Sequence, residues 1–187
     1  RLQETQPFPP TPFQYSVRSR ILLAPAVDAP QPRPLKVRSV ADVWPESVPQ
    51  SHYLLLPPEI SERVKRFAAV LTEDKTSELD KAIALRDHLR NNYPYSQTST
   101  KAPKGRESVD YFLFDLKTGH CEYFAASLVV LARSIGLPAR VVTGFSPGNY
   151  NTLTGFFEVY EYHAHAWTQI YVTGSGWLTI DATPPGS

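Results

Sequence analysis

The chain has 187 residues, 42% hydrophobic and 20% charged, with a formal net charge of +1. This is the composition of a folded core rather than a disordered chain, and a chain this long buries roughly 70% of its unfolded surface without help from a disulfide or metal. The single cysteine excludes an intramolecular disulfide. The sequence also lacks the dense Lys/Arg stripe that neutralising many phosphates requires, so no nucleic-acid partner is expected. No signal peptide or membrane-spanning run is present; the chain opens at Arg1, stops soon after Asp181, and reads as a segment of a longer protein that would carry any membrane anchorage.

Twelve of the eighteen prolines fall in residues 1–58. Pro9-Pro10-Thr11-Pro12 and Pro30–Pro34 favour extended backbone, and Gln14–Val17 and Arg20–Leu23 between them read as short strands. Residues 1–56 are therefore expected to form a Pro-rich extended arm, and 57–187 a single α+β domain. A first helix is expected from Pro57-Pro58-Glu59 to about Glu73, with Ile60, Val64, Phe67, Ala68 and Leu71 on one face. A second, capped by Thr76 or Ser77, carries Leu79, Ala82, Ile83, Arg86 and Leu89 on one face and ends before Tyr93-Pro94. Residues 96–107 read as a surface loop, and Val109–Leu116 as a short apolar segment.

The strongest helical pattern is Cys121–Ile135. Phe124, Leu128, Leu131 and Ile135 form its stripe, and Gly136 followed by Pro138 stops it. The hydrophobic period then changes from 3.6 to 2. Ala139–Gly144, Phe156–Tyr160, Ala164–Val172 and Trp177–Ala182 read as strands, and helices followed by consecutive strands indicate an antiparallel sheet.

Cys121 lies in the first turn of that helix, where unpaired N–H groups and the helix dipole favour a thiolate and could bind an oxyanion. A sulfur nucleophile attacking an amide needs a group to protonate the leaving amine, and histidine is the usual one. His52 and His88 read as solvated, and the side chain of His120 points away from that of its neighbour. His163 and His165 remain, on one face of a strand. Asp181, on the next strand, could orient the imidazole, provided that the intervening hairpin has an odd-length turn or a bulge; a regular two-residue turn would put the groups on opposite faces.

Gly119-His-Cys121-Glu-Tyr-Phe-Ala125, then Leu131-Ala-Arg133-Ser-Ile-Gly136-Leu-Pro138-Ala-Arg140-Val-Val-Thr-Gly144, resembles the nucleophile segment of the transglutaminase-like superfamily. His165-Ala-Trp167 and Gly176-Trp-Leu-Thr-Ile-Asp181-Ala-Thr183 are similar to its histidine and aspartate segments, in the same order. The resemblance implies a papain-like core, with the cysteine helix packed on an antiparallel sheet. It selects His165, because the family histidine directly precedes Ala-Trp, and so gives a Cys121–His165–Asp181 triad. It also implies a second oxyanion donor upstream of the cysteine, for which Tyr95 is the candidate. Trp167 is a candidate cleft wall, and His163 a candidate cleft residue. Gln169 stands where many relatives carry Glu, and Ala182 where Pro often follows the aspartate.

The function so implied is acyl transfer through a thioester, from a glutamine carboxamide to a lysine amine. A cysteine peptidase or amidase is the alternative, and a non-catalytic peptide-binding module a further one. Zinc on His120, Cys121, His163 and His165 would have an uncommon spacing and leave Asp181 without a task. No calcium-loop signature is present, so neither metal nor cofactor is expected. The expected partner is a protein or peptide substrate, the expected state a monomer, and the location implied by the resemblance extracytoplasmic.

Overall fold

The computed structural model describes residues 14–16, 50–98, 101–146, 149–153 and 156–185. The expected strand at Arg20–Leu23, and most of the expected arm, lie outside them. The chain divides into two compact units, 1–37 with 144–165, and 38–143 with 166–187.

In the larger unit a 3-10 turn, Gln50–Leu54, precedes the helices. Helix α1 is Glu62–Leu71. It starts later than the prolines suggest, because Ile60 N–H closes a turn on the Pro57 carbonyl and Ser61 supplies the cap, its hydroxyl accepting from Val64 N–H. Helix α2, Glu78–Asn92, is capped by Ser77. Its buried face is Ala82, Leu85 and Leu89, whereas Leu79 is 40% exposed. The face is thus turned from the expected one, so that Glu78, in the first turn, accepts both the N–H and the hydroxyl of Thr173.

Helix α3, Ser108–Tyr111, is capped by the Glu107 carboxylate and runs into a π-helical turn, Phe112–Leu116. Lys117, at φ 56°, turns the chain out of it, its N–H closing on the Phe112 carbonyl. Helix α4, Cys121–Ser134, is the core of the unit. Phe124, Leu128, Leu131 and Ala132 are sealed from solvent against residues of α1, α2 and the π turn.

Strands β2 (Ala139–Phe145), β5 (Ala164–Val172) and β6 (Gly176–Ile180) form one sheet in the order β2-β5-β6. Alternate residues of β5, from Ala166 to Val172, are buried, as a strand with one covered face requires. The opposite face carries Gln169, whose side-chain carbonyl accepts Nε and Nη2 of Arg140 at 2.9 and 2.7 Å. The Arg140 guanidinium also lies 4.2 Å over the Trp177 ring.

The β5–β6 hairpin has a three-residue turn, Thr173–Ser175, so the odd-length condition is met. Val172 pairs with Gly176, and the ladder runs to Thr168 opposite Ile180. Gly174 at φ 80° supplies the left-handed position that the turn needs. The second strand is shorter than expected: Asp181 and Ala182 lie beyond the ladder.

In the smaller unit β1 (Gln14–Ser16), β4 (Phe156–Tyr160) and β3 (Asn149–Asn151) form an antiparallel sheet in the order β1-β4-β3.

The start of α1 is held to α3 by a charge cluster. Asp110 is buried and accepts Nε of Arg63 at 2.7 Å and the Ser61 hydroxyl at 2.5 Å; the second Arg63 nitrogen bonds its other oxygen. The bond from Arg63 is the chief reason its carboxyl falls to about 2, outweighing burial, with Ser61 and Arg106 adding to the effect. The depressed value stabilises the fold above the ordinary carboxylate range, and that stabilisation is lost as pH falls toward 2. Because Arg63 is half exposed, solvent screens part of this contribution. Asp110→Asn should lower the denaturation midpoint in urea near neutral pH, and the gap from wild type should narrow in acid.

Candidate active site

Cys121 is the first residue of α4, and His120 caps the helix without a side-chain bond, so the first-turn N–H groups are not taken by a capping side chain. The sulfur is half-buried, and the nearby backbone N–H groups of Ala166, Glu122 and Cys121 itself favour its ionised form. The Ala166 donor is a consequence of the sheet. Beyond the Thr168–Ile180 pair β6 departs, and the N–H of Ala166, the next inward-facing residue of β5, is left to act on the sulfur.

One turn along α4 the Thr168 hydroxyl, fully buried, donates to the Ala125 carbonyl at 3.0 Å. Four helical residues and two strand residues both advance the chain by roughly 6 Å, so helix and strand touch once per turn at matched spacing. Cys121 against Ala166 and Ala125 against Thr168 are the two contacts.

Tyr95 is held beside the same sulfur. It forms a parallel bridge with Gly119, where Ser96 N–H reaches the Gly119 carbonyl at 2.8 Å and Thr118 hydroxyl the Pro94 carbonyl at 3.0 Å. Its ring stacks on Phe124 at 6.4 Å. Burial pushes the Tyr95 phenol up, and the neighbouring sulfur charge adds to this, while the Cys121 N–H and the Gln97 side chain pull the other way. The phenol therefore keeps its proton.

The electrostatics correct one expectation. Burial pushes the Cys121 thiol up rather than down, and the Glu122 carboxylate adds to it; the surrounding N–H groups oppose without prevailing. The helix start alone does not hold a resting thiolate. Those N–H groups favour the ionised form once a base removes the proton.

Asp181 is half-buried just past β6, with Oδ1 accepting Thr183 N–H at 2.9 Å. By the register of the hairpin it follows the pair that would bring it opposite Trp167, which is half-buried on the face of β5 that also carries Gln169. Cys121, Tyr95, Trp167 and Asp181 all belong to the larger unit. His165 is the last residue of the smaller unit and the second of β5, one peptide bond from Ala166. His163 closes a 3-10 turn, Glu161–His163; its carbonyl accepts Ser146 N–H at 2.8 Å and its ring lies 4.3 Å from that of Tyr162. Sequence reasoning missed Ala166, Thr168 and Thr183. The first acts through a backbone N–H, which no side chain announces. The threonines read as ordinary strand residues.

The transglutaminase-like superfamily model matches residues 65–182. The chain belongs to that superfamily. It is 37% identical over 157 residues to the uncharacterized protein YebA of Bacillus subtilis, covering 81% of this chain and 21% of YebA. It is 36% identical over 93 residues to a protein-glutamine gamma-glutamyltransferase of Pseudomonas aeruginosa, covering 50% of this chain and 14% of that protein. Among solved structures, the periplasmic domain of TgpA from Pseudomonas aeruginosa superposes with a TM-score of 0.64 at 28% identity, over 71% of this chain and 46% of that domain. The chain thus spans about a fifth or less of the curated relatives it matches. The superfamily includes acyltransferases and cysteine-protease-like members.

Gly119 permits the close approach of this turn. An added Cβ would meet Tyr123 Cδ2 at 2.9 Å and Phe112 Cε2 at 3.1 Å. Gly119→Ala should displace the sulfur and slow its alkylation by iodoacetamide roughly 10- to 100-fold. Circular dichroism should report a folded chain.

Proposed function

We propose that this domain is a cysteine-dependent acyltransferase of the protein-glutamine gamma-glutamyltransferase kind, with Cys121, His165 and Asp181 as its triad. The observation that carries the reading is the half-buried Cys121 sulfur at a helix start, with the N–H of Ala166, the residue after His165, favouring its ionised form. The similarity to a protein-glutamine gamma-glutamyltransferase favours a glutamine carboxamide as acyl donor.

In this mechanism His165 takes the thiol proton as Cys121 attacks the carboxamide carbon. The Cys121 N–H and the Tyr95 phenol bind the oxyanion. The C–N bond breaks, His165 returns the proton to the leaving nitrogen, and ammonia departs from a thioester. A lysine amine then attacks the thioester, giving its proton to His165, and the Cys121 thiol is restored. Asp181 keeps the imidazole in the tautomer that accepts from sulfur. Trp167 lines the acyl site and excludes water from the thioester. His163 serves at the cleft rim.

The substrate is a protein or peptide, the domain acts as a monomer without metal or cofactor, and it works outside the cytoplasm, as the TgpA periplasmic domain does. The test is a paired assay on casein, measuring incorporation of a fluorescent primary amine and release of ammonia. Wild type should give both, while Cys121→Ala and His165→Ala should each lose at least about 1,000-fold. Ammonia release without amine incorporation would assign the hydrolytic alternative, and undiminished activity in Cys121→Ala would reject the mechanism.

A further inference from the structure

Asp181 has to be held in place by something other than the sheet. Its strand ends at Ile180, one residue before the carboxylate. The bond from Thr183 N–H to Oδ1, at 2.9 Å, closes the chain into a tight turn and leaves Oδ2 to face elsewhere.

A second feature of Thr183 is unexplained by that bond. The residue is 4% exposed, and its hydroxyl is sealed from solvent with no hydrogen-bond partner among the described residues. A buried hydroxyl without a bond is costly, so a group of this kind calls for a role. The hydroxyl and the N–H sit on one residue, and the backbone of that residue is restricted by the following Pro184. Rotation about χ1, among three staggered positions, moves the hydroxyl relative to the N–H that already holds the carboxylate.

From these two observations we infer that Thr183 is a positioning residue for Asp181, its backbone N–H fixing the carboxylate at rest and its hydroxyl donating a second bond to it during turnover. The inference rests on the triad reading, because it gives the carboxylate a catalytic task. Two donors from one residue fix which oxygen is presented to the imidazole. A charged acceptor makes the second bond stronger than one to a neutral group.

The test uses Thr183→Val, which keeps the shape and the N–H but removes the hydroxyl, Thr183→Ser, which keeps both donors, and Asp181→Asn. Ammonia release from casein and the rate of Cys121 alkylation by iodoacetamide near neutral pH are measured for each, with the thermal midpoint. Thr183→Val should lower kcat about 10-fold with KM unchanged, the size expected for one bond to a charged group. Its thermal midpoint should not fall, because the lost hydroxyl has no partner in the resting fold. Thr183→Ser should recover activity to within about twofold, and Thr183→Val added to Asp181→Asn should cost nothing further, the mark of two residues acting through one interaction.

Full activity in Thr183→Val while Asp181→Asn is impaired would overturn the inference and leave the triad standing. So would losses that simply multiply in the double variant. Full activity in Asp181→Asn would instead overturn the triad reading itself. If Thr183→Val is unfolded, Thr183→Ser and Thr183→Ala decide the matter: equal activity in those two would overturn the inference.

Discussion

A backbone N–H that the sheet does not use is the constraint on which the site depends. Where β6 stops at Ile180, β5 runs on, and the Ala166 N–H lies near enough to the Cys121 sulfur to favour its ionised form. Helix α4 is held at that height by the buried Thr168–Ala125 bond one turn along. The length of one strand thus decides where the nucleophile sits. Lengthening β6 by two residues, to Ala182, would offer the Ala166 N–H a carbonyl and remove it from the sulfur.

That arrangement also explains why a base is needed. Burial stabilises the neutral thiol, and the Glu122 charge works in the same direction. The N–H groups of Ala166, Glu122 and Cys121 work in the other. Such a site makes ionisation expensive at rest and favourable in company: when an imidazole takes the proton, the thiolate is met by donors that are already in place. In the proposed mechanism the Tyr95 phenol, kept protonated by its surroundings, adds a donor to the Cys121 N–H. In the proposed mechanism sulfur and imidazole therefore ionise together.

Much of this was legible in the sequence because local pattern and tertiary role coincide. The α4 stripe ends in Gly136, the strands alternate, and the three motif segments follow one another in order, which is why β4 and β5 fall where the periodicity puts them. Tyr95 could be proposed from its place upstream of the cysteine, but the bridge to Gly119 that sets it there joins residues far apart in the chain. The start of α1 was misplaced because the prolines compete with Ser61, whose hydroxyl is bound to Asp110 and so anchored from outside its own helix. The sign of the Cys121 shift was hidden for a related reason. A helix start is visible in a sequence, whereas the depth at which a side chain is buried depends on everything packed around it.

The claim that Cys121 is a buried thiol activated by His165 is tested most directly by the pH dependence of its alkylation by iodoacetamide, in wild type and in His165→Ala. Wild type should label measurably at neutral pH, faster than His165→Ala. In His165→Ala the rate should be low there and climb only above the ordinary thiol range, because burial then holds the proton unopposed by a base. Identical profiles for the two proteins would contradict the account.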